Sequence, residues 1–270
     1  MKTFIGFSMP SSFGRIICLC FFLIPTASYS FYPPVPPNSN TSSASAVAAK
    51  AVAVRLARAR AAARKGELKM IGLEAFSLTQ ELQLEDSGLN EKVLEYALIG
   101  YHRLLKKGVL HRTDVLSVCD FSQSSSQKRM YVIDVCNRKL LYRSYVAHGI
   151  GSGEEYANAF SNVPESHKSS LGFYVTRETY YGSNGLSLRI DGMDRGFNSR
   201  ANQRNIVIHG APYVSERILH KYGVMGTTFG CPAIPEELTN EIIPTIKDGT
   251  CFFIYYPSQR YLSRSGVLNG

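Results

Sequence analysis

Residues 206–234 constrain the fold more than any other part of the chain. Ile206-Val207-Ile208 is an apolar, β-branched run closed by His209 and Gly210, the pattern of a buried strand that delivers a histidine at its end. The stretch closes on Thr227-Thr228-Phe229-Gly230-Cys231-Pro232-Ala233-Ile234. Glycine lets the backbone bend sharply at Gly230, and proline opposes regular structure at Pro232. Cys231 therefore sits on a bend, open to a ligand on one side. A thiol and an imidazole on adjoining rigid supports suffice for thiolate chemistry, with Cys231 as nucleophile and His209 as base, held as an ion pair or a hydrogen-bonded pair. The N–H groups near Gly230 and Cys231 are the expected oxyanion donors. Thr228 shapes the loop or bonds substrate, and Gly210 allows close approach behind His209.

From residue 115 onward the pattern is that of strands. Residues 115–121 and 130–135 flank a Ser/Gln loop and predict a hairpin; further strands are expected over 139–147, from Ser169, over 186–190 and over 250–256. The predicted fold is mainly β (α+β), a sandwich or open barrel over about 115–257 with a few packed helices. An amphipathic helix over 90–107, with Asn90 as N-cap, should pack on it. Residues 235–247 read as a short helix shortened by Pro244, and the polar tail from 257 as loose. His148-Gly149-Ile150-Gly151-Ser152-Gly153 reads as a mobile turn, with His148 a candidate second histidine at the cleft.

Charge is concentrated. The 270-residue chain carries a net +9, of which residues 44–69 alone supply +6. That Ala/Arg-rich arm has high helix propensity and offers, at most, weak electrostatic contact with an anionic membrane or wall. It follows a Pro/Ser-rich tether from residue 31. Residues 1–30 have the basic start, short apolar core and small-residue cleavage pattern of a secretory signal. The expected organisation is thus a signal peptide over 1–30, tether and arm over 31–69, a helical segment over 70–110 packed on the catalytic domain, that domain over 111–257, and a loose tail over 258–270. After cleavage Cys119, Cys136, Cys231 and Cys251 remain; all but Cys231 read as apolar core residues. No zinc-ligand spacing and no nucleic-acid motif occurs, so neither metal, cofactor nor nucleic acid is expected.

The spacing of His209-Gly210 and Thr228-Phe229-Gly230-Cys231-Pro232-Ala233 resembles the murein L,D-transpeptidases, the YkuD-like family, in the branch whose cysteine is followed by Pro-Ala. That branch usually reads Arg-Ser-Trp-Gly-Cys; here Thr227, Thr228 and Phe229 stand before Gly230. Its other elements have counterparts in His148-Gly149, Ser152-Gly153, Phe160-Ser161-Asn162, Ser169-Ser170-Leu171-Gly172-Phe173-Tyr174 and Ser187-Leu188-Arg189-Ile190-Asp191-Gly192. The resemblance implies the YkuD-like barrel, Ser170 as a neighbour of the site, and reactivity of Cys231 toward carbapenems. It also implies an exported, envelope-located enzyme acting on peptidoglycan stem peptides, which acylates Cys231 at the third residue of a tetrapeptide and passes the acyl group to an amine. An L,D-carboxypeptidase or hydrolase, or a wall-binding protein without turnover, are the alternatives.

Overall fold

The computed structural model describes residues 41–270, so the expected signal peptide and most of the tether lie outside the described residues. The chain divides into two units at the Val54/Arg55 boundary. Helix α1 (Thr41–Glu81) is rich in alanine, and its residues 45–67 are exposed. Burial begins where helical spacing supplies an apolar stripe, Ile71, Ala75 and Leu78. The basic arm is therefore a solvated part of a helix whose C-terminal end is in the core. Deleting residues 31–66 removes no buried side chain of the second unit, and the melting temperature of the remainder should stay within a few degrees in a calorimetric scan. Among the described residues no helix is long and apolar enough to cross a membrane.

Helix α2 (Glu91–Lys106) begins at Asn90, whose side chain accepts from Lys92 N–H at 2.8 Å. It buries Val93, Leu94, Ala97, Leu98, Tyr101 and Leu104 of the stripe its spacing predicted, whereas Leu105, the last of that stripe, is exposed. Eight strands follow: β1 (Val115–Asp120), β2 (Met130–Asp134), β3 (Lys139–Ser144), β4 (Gly172–Gly182), β5 (Gly185–Gly192), β6 (Val207–Ala211), β7 (Ala233–Pro235) and β8 (Cys251–Tyr255). They form one mixed sheet in the order β3-β2-β1-β8-β4-β5-β6-β7, with β1·β8 and β6·β7 parallel. The two edges meet through the Ala147–Ala233 bridge, so the sheet is a nearly closed barrel. Closure places β6, β7 and the segment after β3 side by side, and the candidate site lies there.

Four expectations change. Residues 235–247 are not one helix: Pro235 ends β7, a 3-10 turn follows, and only Thr239–Ile246 is helical (α4, after α3 at Glu216–Tyr222). Proline is tolerated at Pro235 because β7 is the sheet edge. The glycine cluster is not a mobile turn but a 3-10 turn pinned by Ile150 N–H to Thr228 O and Gly151 N–H to His167 O. Cys136 is exposed, whereas Cys119 and Cys251 are buried; all four of these cysteines, Cys231 included, are free thiols.

The fourth change concerns the tail, which is packed rather than loose. Helices α5 (Gln259–Arg264) and α6 (Gly266–Asn269) bury Tyr261, Ser265, Val267 and Leu268. The reason is Asp194, fully buried, whose carboxylate accepts from Phe173 N–H, Tyr261 O–H, Ser265 O–H and Val267 N–H. A polar tail looks loose in sequence when the group that satisfies it lies some seventy residues away. Asp194→Ala leaves four donors orphaned in the core, at about 1–3 kcal/mol each before relaxation. The expected result is a fall of roughly 10 °C or more in melting temperature, accompanied by proteolytic release of the tail.

Candidate active site

Strand β6 carries Val207 and His209 on one face, and its parallel partner β7 pairs Ala233 with His209. Two residues before Ala233 stands Cys231, so its side chain falls beside Val207. Val207 N–H donates to Cys231 Sγ at 3.4 Å, and the thiol reaches Asn205 O at 3.7 Å. Cys231 is partly buried and His209 is 3% exposed. The bend is built by Thr228: its Oγ1 donates to Cys231 O at 2.7 Å and accepts from Gly230 N–H at 3.0 Å. Gly230 has φ +123°, a conformation closed to other residues. Gly210 is needed for space, since a Cβ there would lie 2.1 Å from Thr239 Oγ1.

His209 Nδ1 donates to Gly210 O at 2.9 Å. A carbonyl can only accept, so this bond fixes the tautomer and leaves Nε2 with its lone pair free. Burial lowers the His209 pKa, partly offset by the bond to Gly210. Burial raises the Cys231 pKa, offset in part by the Val207 N–H and the Arg204 charge. Both shifts favour neutral partners. Of the two expected arrangements, an ion pair or a hydrogen-bonded pair, the burial shifts favour the neutral one, while the thiol itself bonds to the start of β6. The oxyanion expectation also narrows. Gly230 N–H is already held by Thr228, whereas among the described residues no group accepts from Cys231 N–H.

The other sequence candidates divide. Phe229 is 73% exposed and lies against the His167 ring at 4.5 Å between centroids. His148 touches the cysteine loop only through its backbone, where its carbonyl accepts from Thr228 N–H. Its ring points into the core: Arg129 Nη2 donates to Nδ1 at 2.8 Å, so Nε2 carries the proton and donates to Gly153 O at 3.1 Å. No lone pair remains for a substrate proton. Burial, then the Arg129 charge, push its pKa down to about 4. Ser170 is buried, bonds the Tyr174 hydroxyl at 2.8 Å and stands behind the site rather than in it.

Arg204 was not legible in the motif. Its guanidinium donates to Ser161 O at 2.7 Å and Lys168 O at 2.6 Å, tying the 161–170 loop to the lead-in of β6. It also supplies positive charge to Cys231. The related branch carries its arginine at the position of Thr227; here a cation reaches the thiol from the opposite loop. Its place immediately before the β6 run was the one available signal.

The model for the L,D-transpeptidase catalytic domain (YkuD_2) matches residues 85–255. No curated protein matches the chain. Among solved structures, an L,D-transpeptidase from Mycobacterium smegmatis is 11% identical over 53% of this chain and 59% of its own, with a TM-score of 0.33. An L,D-transpeptidase from Mycobacterium tuberculosis H37Rv is 15% identical over 53% and 58%, TM-score 0.32. The helical cell shape determining protein Pgp2 (K307A mutant) from Campylobacter jejuni is 13% identical over 59% and 57%, TM-score 0.34. The matched region covers less than two thirds of each of these chains. With the family model spanning more than half of its length, this chain belongs to the L,D-transpeptidase catalytic-domain family.

Proposed function

We propose that the protein is an exported cysteine acyltransferase that cross-links peptidoglycan stem peptides. The observation that carries the reading is the His209 tautomer: its Nδ1 bond to Gly210 O leaves Nε2 as a base beside the strand that presents Cys231. Nε2 takes the Cys231 proton as Sγ attacks the carbonyl of the third stem residue. The developing oxyanion meets the Cys231 N–H, and the thiol leaves its resting contact with Asn205 O. As the tetrahedral intermediate collapses, the C–N bond to the terminal D-alanine breaks, and His209 returns the proton to the departing amine. A thioester remains on Cys231. An acceptor amine then repeats the sequence in reverse and regenerates the thiol. Such a substrate lies outside the cytoplasm, so export belongs to the same reading.

Water in place of the amine turns the same steps into L,D-carboxypeptidation. Incubation with a purified disaccharide-tetrapeptide separates the outcomes by mass spectrometry. A cross-linked dimer with release of D-alanine is expected; a tripeptide alone identifies the carboxypeptidase. Release of no D-alanine by the native protein defeats both and leaves a wall-binding role.

A further inference from the structure

Phe160-Ser161-Asn162, singled out in the sequence, has no part in the thiol chemistry. It forms one wall of a cavity of about 340 Å³ that Cys231 does not line. Three partly buried rings bound this cavity: Phe160, Phe197 and Tyr256. Each is held from behind or beside: Phe160 by Phe121 and Tyr256, Phe197 by Tyr261 at 5.1 Å. Their orientation is therefore fixed without a ligand. The rim is cationic. Arg260 lines the cavity, and the adjoining cleft, which shares Asn162, Val163 and Gly196, adds Arg195 and Arg200. Neither hollow is lined by an aspartate or glutamate, and among the described residues none of these three arginines is in an ion pair. Asn162 sets the rim by accepting from Arg200 N–H at 3.0 Å and donating to Ser199 Oγ at 3.3 Å.

Preset aromatic faces suit a ring whose C–H groups face them, because the π face is electronegative. Arg260 lies over the Phe197 ring at 5.9 Å, which leaves the Phe160 and Tyr256 rings as the sugar-facing surfaces; guanidinium groups held outside ion pairs at the rim suit carboxylates. The volume lies at the low end of small-ligand pockets, roughly 300–1,000 Å³, enough for one ring and not for a chain. A sugar ring joined to an acidic peptide has both features. Arg204 connects the cavity wall to the cysteine loop: it bonds Ser161 O, and its Nη2 lies 3.1 Å from where a Cβ on Gly230 would stand.

We propose that this cavity is a saccharide subsite: it seats an amino-sugar ring of the wall fragment whose stem peptide reaches Cys231, and the rim arginines take the sugar-proximal carboxylates. The proposal rests on the reading of Cys231 as the acylated thiol, and the test separates the two. Full-length Cys231→Ala is titrated calorimetrically with a disaccharide-tetrapeptide and with the bare tetrapeptide, so that binding is read without turnover. The saccharide-bearing ligand should bind roughly tenfold tighter or better, the weight of one good contact. The exposed changes Arg200→Glu with Arg260→Glu, and separately Val163→Trp at the mouth, should erase that preference. In proteins retaining Cys231, the same changes should lower kcat/KM for the disaccharide-tetrapeptide while sparing the bare tetrapeptide. Equal affinities for the two ligands, or a preference that survives all these changes, overturn the subsite. Failure of the native protein to release D-alanine from either ligand overturns the acyltransferase reading and leaves the binding comparison standing.

Discussion

Incubated with a carbapenem, the native protein should gain one drug mass on the peptide containing Cys231, and Cys231→Ala should gain none. A strained lactam carbonyl needs a nucleophile, a base and an oxyanion donor in one place. Cys231 and its own N–H stand on the bend that leads into β7, and His209, with Nε2 free, lies on the neighbouring strand β6. The competing thiols fail for separate reasons. Cys119 and Cys251 are fully buried, and burial pushes their pKa up. Cys136 is exposed; its sulfur donates to Thr113 O at 3.8 Å, and among the described residues no hydrogen bond joins it to a histidine. A simple alkylating agent should therefore mark Cys136, whereas a carbapenem should pass it over. Cys231 is only partly buried and a smaller residue fits its place, so Cys231→Ala should melt within a few degrees of the native protein. A carbapenem adduct on Cys136, or one that persists in Cys231→Ala, would remove the nucleophile from the proposed mechanism.

What the sequence made legible follows the range of the forces involved. Seven of the eight strands could be read because each carries its burial in its own residues, as the β6 and β8 runs do; β7, three residues ending on Pro235, could not. The α2 helix carried its own cap in Asn90. The bend at Cys231 and the strand carrying His209 were legible because both are local features. Features that depend on distant partners were not. Asp194 organises a tail that reads as loose, and Arg204 reaches across from another loop. The ring of His148 is claimed by Arg129, nineteen residues away, although its glycine-rich context suggested motion. The resting protonation of Cys231 and His209 depends on burial at the closed barrel edge, and no motif encodes that.

Replacing His209 should then expose how the thiol is activated. His209→Ala should lower acylation at neutral pH by about 10²–10⁴-fold, the usual weight of a general base. His148→Ala should leave activity per folded molecule nearly intact; it orphans a buried Arg129 donor, so it costs stability, about 1–3 kcal/mol. The pH profile gives the sharper test. Burial holds the His209 pKa below the ordinary value of about 6.5, so the imidazole is a competent base throughout the neutral range. The native rate should be flat from pH 8 down through about 6.5 and fall only below it, as Nε2 gains its proton. An ion pair would behave differently: the thiolate would persist well below pH 6.5, until acid protonates it, and the rate would change on the alkaline side only as the imidazolium loses its proton. Burial also holds the thiol pKa above its ordinary value of about 8.5. Without His209 the reaction must wait for hydroxide to remove the proton, so the rate of His209→Ala should climb about tenfold per pH unit through 9. Stopped-flow acylation by a carbapenem across this range measures both limbs. A His209→Ala profile parallel to the native one would show that another group removes the Cys231 proton.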